Sequence, residues 1–298
     1  MKAAPFAYVR PSRLSDAIAE LAETRGGGKV IAGGQSLTPV LAMRLARPDT
    51  LIDINSIEEL GALTRSGPAL HIGATVTQRR VERDPLGGSV PLLRLALPWV
   101  GHRELRSRGT VCGSLAHADP AAELPAVACC LDAELTLTGP NGHRSVSARE
   151  FFHGAMTTAL TPDEILTSVR LPVAAEGEGF GFAEIARRHG DFALAGLAVR
   201  VRLRAGGPEA TMTAFGVSDR PVTRDLSEQL AAAVTESGDG LAGRLRERLA
   251  AVVEEIVDTD GDIHASRDYR RRLLLALAAR ELSKAYERAR DGAEEVTT

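Results

Sequence analysis

Lys29-Val-Ile-Ala-Gly-Gly-Gln-Ser36 runs from a short apolar strand (Val30, Ile31, Ala32) into Gly33-Gly34. Glycine lacks a Cβ, so successive backbone N–H groups can curl around an anion at that point. Ser36 is placed to cap a helix starting at Leu37, and a helix N-terminus with free N–H groups is where a diphosphate is held. A second passage, Thr110-Val-Cys-Gly-Ser-Leu-Ala-His-Ala-Asp-Pro-Ala-Ala-Glu123, has the same character. Thr110 and Ser114 offer hydroxyls around a tight turn expected at Gly113. Asp119 and Glu123 are carboxylates able to accept hydrogen bonds from a ribose or a base. Taken singly, each feature is an ordinary turn, cap or first-turn carboxylate. In this order and combination the two nests suit a dinucleotide.

Working outward from the first stretch, Phe6–Val9 reads as a strand. Apolar residues at Leu14, Ala17, Ile18 and Leu21 mark a helix entered through Ser12 and stopped by Gly26-Gly27-Gly28. Leu37–Leu45 reads as a helix and Leu51–Ile54 as a buried strand, which closes a small α+β subdomain over residues 1–55. A second subdomain, residues 56–174, holds a strand pair at 62–65 and 70–72, a helix capped by Thr75 and a helical run at 91–97. It continues with an apolar helix at 123–131 that buries Cys129 and Cys130, a hairpin turned at Gly139-Pro-Asn-Gly142, and a strand from Ile165 to Leu171. Residues 174–179 have linker composition. From residue 180 to 290 three long strand patterns (181–188, 192–204, 210–217) are followed only by amphipathic helices at 226–234, 241–257 and 268–288. This predicts a three-stranded antiparallel sheet under a helical layer.

Composition excludes several classes of function. The 298 residues are 44% hydrophobic and 25% charged, with a net charge of −3, the balance of an ordinary globular protein. No Lys/Arg block is interleaved with aromatics, so nucleic acid is not an expected partner. No apolar run reaches the length of a membrane span and the N-terminus lacks a signal sequence, so a cytoplasmic location is expected. Cys112, Cys129 and Cys130 have neither a disulfide nor a metal-ligand spacing, and they are too few for an iron–sulfur cluster.

Sharper motifs fail on single residues. Val30 follows Lys29 where a phosphate loop needs Ser or Thr, and no Gly-x-Gly-x-x-Gly opens a helix after a strand. Thr38 stands where a hydrolase elbow needs glycine. His117, Asp119 and Glu123 are irregularly spaced beside Pro120 and do not make a metal site. No metal is expected on this chain.

The chain resembles the FAD-binding medium subunit of the molybdenum hydroxylases, the family of xanthine dehydrogenase and aerobic carbon monoxide dehydrogenase. The resemblance covers nearly its whole length. It rests on Pro5-Phe-Ala-Tyr-Val-Arg-Pro11, Ala32-Gly-Gly-Gln-Ser-Leu37 with Arg44-Leu45, Pro48 and Ile52-Asp53, and above all on the specific block Arg106–Glu123. Asp163-Glu-Ile-Leu166 and Arg187-Arg188 with Asp191-Phe-Ala193 complete it. It implies an α+β fold: a p-cresol methylhydroxylase-type FAD-binding fold of two α+β subdomains, followed by the C-terminal domain. By the same resemblance, Val30, Ile31, Ala32, Gly33, Gly34, Gln35, Ser36 and Leu37 wrap the FAD diphosphate. Thr110, Val111, Cys112, Gly113 and Ser114 form a second phosphate and flavin contact. Glu123 lies toward the ribose and adenine, and Val100 and Leu166 supply apolar contacts.

The family's work is electron transfer. Substrate is hydroxylated at a molybdopterin on a large subunit, and electrons pass through two [2Fe–2S] clusters of a small subunit to this FAD and on to an external acceptor. The implied assembly is a dimer of heterotrimers. No catalytic acid or base is then required of this chain, because flavin chemistry belongs to the cofactor. Two other readings have the chain as a stand-alone FAD oxidoreductase of the same fold superfamily or as a flavin-free scaffold subunit. Two departures from the family stand out. Cys112 occupies the place of the first of two glycines, where a positive φ would be costly for a side chain. Glu184 occupies a place where many relatives have Lys.

Overall fold

The computed structural model describes residues 2–238 and 240–294. In chain order the first half carries β1 (Ala7–Val9), α1 (Leu14–Glu23), β2 (Gly28–Ile31), α2 (Leu37–Ala42), β3 (Thr50–Asp53), β4 (Leu63–Ser66) and β5 (Ala69–Gly73). Five helices follow: α3 (Gln78–Arg83), α4 (Pro91–Ala96), α5 (Arg103–Arg106), α6 (Val111–His117) and α7 (Glu123–Cys130). Then come β6 (Glu134–Gly139), β7 (Gly142–Ser147), α8 (Ala148–Phe151), β8 (Phe152–Gly154), β9 (Thr157–Thr158) and β10 (Ile165–Pro172). The chain finishes with β11 (Glu178–Ala186), β12 (Ala193–Arg204), β13 (Gly207–Phe215), β14 (Val222–Asp225), α9 (Ser227–Thr235), α10 (Leu241–Ile256) and α11 (Arg267–Glu294).

These elements form two compact units. The first consists of residues up to Ser89, His102–Ala118 and Asp132–Pro172. It holds a three-stranded sheet in the order β1-β3-β2, with β1 and β2 both parallel to β3. Parallel neighbours need a crossover, and α1 and α2 supply the connections. It also holds a five-stranded antiparallel sheet, β4-β5-β10-β6-β7, whose buried residues include Leu70, Ile72, Leu135, Leu137, Val169 and Leu171. Gly142, at φ 106°, lets the tight β6–β7 hairpin turn. Two caps differ from expectation. Thr77, not Thr75, caps α3 by accepting from the Arg80 N–H at 3.2 Å. Ser12 caps nothing, because α1 starts after Arg13 and has no side-chain cap.

The second unit is Val90–Gly101, Asp119–Leu131 and the chain from Val173 onward. Its sheet has four strands, β11-β12-β13-β14, and not the three expected. β14 is a four-residue edge strand after Pro221, too short for an alternation pattern to mark. One face packs under α9, α10 and α11 through Leu197, Val199, Val201 and Met212 against Leu245, Leu249, Leu274 and Leu282. Burying such side chains contributes roughly 1.5–3 kcal/mol each. The opposite face meets α4 and α7. Every residue of α7 is buried, as an all-round apolar helix must be. Residues 90–101 and 119–131 therefore pack with the C-terminal sheet, although the sequence places them within the 56–174 subdomain.

Helix α11 approaches β11 closely. A Cβ on Gly179 would lie 1.9 Å from the Ala285 carbonyl oxygen, and one on Gly181 would lie 2.7 Å from that of Glu281. At its start, Arg270 is buried and donates through Nη1 to the carbonyls of Leu194 and Gly216, each at 2.6 Å, and through Nη2 to Asp262 at 2.7 Å. Gly179→Val forces α11 off the sheet, and overpacking of this kind costs about 1–3 kcal/mol. The expected outcome is a lower thermal midpoint, read by circular dichroism, with the helical signal of α11 melting first.

Candidate cofactor site

The backbone ladder between β2 and β3 sets up the first loop. Its final rung beyond the paired residues is the Ile54 N–H donating to the Ile31 carbonyl at 3.1 Å. Beyond it the chain turns through Ala32, Gly33 and Gly34, and Gly34 takes φ 71°, a left-handed conformation suited to glycine. Three consecutive carbonyls are occupied. Ala32 O accepts from the Asn55 side-chain amide at 2.8 Å, Gly33 O from the Gln35 side-chain amide at 3.1 Å, and Gly34 O from the Thr38 N–H at 2.9 Å. Among the described residues, the N–H groups of Gly33, Gly34, Gln35 and Ser36 donate to no group of the chain. Ser36 itself is helical in conformation and makes no side-chain cap. Its hydroxyl does not close off the N-terminus of α2 as the sequence implied.

The second passage is brought against the first within the same unit. A Cβ on Gly33 would lie 2.1 Å from the Arg108 carbonyl oxygen and 2.8 Å from Gly109 Cα. Residues 105–111 are held by α3 and the segment before it. Gly109 N donates to Leu105 O at 2.7 Å, Gln78 N to Gly109 O at 2.8 Å, and Val111 N to Val76 O at 3.2 Å. Arg106 is 7% exposed and reaches Glu82 through Nε and Nη2, both at 3.3 Å, while Arg79 meets the same carboxylate at 2.7 Å. Burial opposes ionisation of Glu82, but these two guanidiniums outweigh it and hold its pKa below the usual carboxylate range.

The expected tight turn at Thr110–Ser114 is instead the first turn of α6. Thr110 is the N-cap and accepts from the Gly113 N–H at 3.0 Å. Glycine is needed at 113 because a Cβ there would come within 2.6 Å of the Thr110 hydroxyl. Cys112 is helical and pays no positive-φ cost, which corrects the strain expected of it. Its thiol is buried, lies 3.5 Å from the Ile72 carbonyl and is pushed up to about 12 by burial. The side chain thus fills the core, and the Cys112 N–H donates to no described group of the chain. Val111 is buried, and the half-buried Ser114 follows on the same first turn.

Other candidates stand elsewhere. Leu166 is a buried strand residue of β10, 4% exposed, opposite Leu137. Val100, Asp119 and Glu123 belong to the second unit. Asp119 accepts from the Ala121 N–H at 2.8 Å and so shapes the turn entering α7. Glu123 opens α7 and is buried. It faces Glu184 of β11, which is 3% exposed and has no hydrogen-bond partner for either oxygen among the described residues. Burial first, and then the charge of Glu123, raise Glu184 from 4.5 to about 8. The sequence attached no role to Glu184 and gave no sign of this pairing. Asn55 was also missed, since a lone Asn after a strand reads as a turn residue.

An α+β chain with a glycine loop of uncommitted N–H groups, fitted against a second capped loop, is built like a nucleotide-binding flavoprotein. Family comparison agrees. Residues 4–174 match the FAD binding domain in molybdopterin dehydrogenase, and residues 180–285 match the CO dehydrogenase flavoprotein C-terminal domain. The chain belongs to this family and is an FAD-binding medium subunit of a molybdenum hydroxylase-type complex. It is 34% identical to the 6-hydroxypseudooxynicotine dehydrogenase complex subunit alpha of Paenarthrobacter nicotinovorans, covering 97% of both chains. It is 31% identical to the carbon monoxide dehydrogenase medium chain of Afipia carboxidovorans, over 96% of this chain and 98% of the other. Among solved structures, reconstituted CO dehydrogenase from Oligotropha carboxidovorans superposes with a TM-score of 0.88 at 30% identity, covering 97% of this chain and all (100%) of that one. Quinoline 2-oxidoreductase from Pseudomonas putida 86 gives 0.85 at 34% identity, covering 98% and 100%. Among the described residues, no helix is long and apolar enough to cross a membrane.

Gly33→Ala drives a methyl into the Arg108 carbonyl and separates the loops. The variant is expected to retain little FAD after desalting, measured as the ratio of flavin to protein absorbance. Glu184 gives a pH signature. Between 4.5 and about 8 the folded chain holds a proton that the unfolded chain has released, so stability falls as pH rises through that window. Urea midpoints across it should decline in the parent protein and stay flatter in Glu184→Gln.

Proposed function

We propose that this chain is the flavin-bearing electron carrier of a cytoplasmic molybdenum hydroxylase. Its partners are a large molybdopterin subunit and a small subunit with [2Fe–2S] clusters, assembled as a dimer of heterotrimers. What supports this is the glycine loop: its carbonyls are tied to Asn55, Gln35 and Thr38, while the N–H groups of Gly33 to Ser36 remain available. Four uncommitted backbone donors beside a strand end fit a diphosphate, and a side chain at Gly33 would fill the space the loop needs.

FAD, when bound, supplies the electron chemistry between the clusters of the small subunit and an external acceptor. The chain's own residues bind and orient it. Val30 to Leu37 hold the diphosphate, with Ile31 and Ala32 delivering the loop from the sheet. The first turn of α6, through the Cys112 N–H and the Ser114 hydroxyl, gives a second polar contact, and Thr110 fixes that turn. Leu166 is an apolar contact. No acid or base of this chain takes part in the chemistry.

The test is direct. The purified chain, incubated with FAD and desalted, should hold stoichiometric flavin, and its flavin bands should bleach when reduced cluster-bearing small subunit is added. A chain that takes up no flavin sinks the proposal. Flavin uptake with substrate turnover in the absence of both partners would instead make it a stand-alone oxidoreductase.

A further inference from the structure

Resting on the flavin-binding assignment of the Gly33–Ser36 loop, we infer that Asp53 and Asn55 are positioning residues that set the direction of its backbone N–H donors. Asn55 uses both hydrogens of its side-chain amide. One reaches the Ala32 carbonyl at 2.8 Å and the other reaches Asp53 Oδ1 at 2.6 Å. The Asn55 backbone N–H also donates to Asp53 Oδ1, at 2.9 Å. Asp53 is 7% exposed, and its second oxygen accepts from the Tyr8 hydroxyl and lies 3.5 Å from Arg10 Nε. Burial works against ionisation of Asp53, but the Tyr8 and Asn55 hydrogen bonds and the Arg10 charge outweigh it and keep it a carboxylate. Asn55 is therefore not a freely rotating surface amide.

The consequence follows from peptide geometry. A trans peptide is planar and points its C=O and N–H in opposite directions. Once the Ala32 carbonyl is held by Asn55, the Gly33 N–H on the same peptide must point away from Asn55. The β2–β3 ladder stops at Ile31, and the Asn55 side chain adds one more rung across the gap to Ala32. Glycine at 33 and 34 leaves the following peptides free to rotate, so the loop needs an external fixing point at its start. A turn-forming Asn with only a local role has no reason to bond a carbonyl just past the end of another strand.

The test uses the full chain and reads FAD affinity by flavin fluorescence, together with the thermal midpoint of the apoprotein. Asn55→Ala should weaken FAD binding roughly tenfold with little change in the midpoint. Asn55→Asp keeps the size but donates only when its new carboxyl is protonated. Its FAD affinity should be low at neutral pH and recover toward the parent value as pH falls, a profile the parent protein does not show. Parent affinity in Asn55→Ala, or a flat pH profile in Asn55→Asp, overturns the positioning role while leaving the loop as a flavin site. A parent chain that binds no FAD overturns both.

Discussion

The first unit depends on the contact between the Gly33 backbone and the carbonyl of Arg108. Nothing larger than a hydrogen fits there, and everything on either side is arranged to keep the two loops meeting. On one side the parallel β2–β3 pair delivers Ala32 and Gly33 at a fixed height. On the other, the 105–111 segment is tied by two backbone bonds to the residues before and within α3 and by the Arg106–Glu82–Arg79 cluster. The charged cluster is partly shielded, so its bonds are shorter of solvent competition than surface pairs are. A loop of glycines alone is floppy. Pressed against a rigid neighbour, it becomes a fixed set of donors.

Much of this was legible in the residues, and for physical reasons. Gly33-Gly34 after an apolar strand announces a backbone that must come close to something, and it does. The strand and helix order of the C-terminal unit follows from alternation and from period. What the sequence withheld is mostly long-range. The partner of Gly33 lies far along the chain, and the Asn55 bond to Ala32 joins residues that no local pattern links. Cys112 misled because a cysteine in a glycine's place reads as strain, whereas α6 begins one residue earlier and gives the thiol a core position. Ser36 misled for a related reason: a serine before a helix reads as a cap, but its own backbone is already helical.

The apolar character of α7 was legible in the residues, but what covers it was not. Leu124-Pro-Ala-Val-Ala-Cys-Cys130 has no polar face, so it needed cover on all sides, and the C-terminal sheet provides part of it. Connectivity alone assigned residues 90–101 and 119–131 to the middle of the chain. In the structure they pack with the C-terminal sheet. Glu184 sits on the sheet face those segments meet, which explains why a strand that looks plain in sequence carries a carboxyl starved of partners.

All three cysteines are buried. Oxidants such as peroxide attack exposed, ionised thiols first. By keeping every sulfhydryl inside its packed cores, this polypeptide offers such oxidants no exposed thiol to modify.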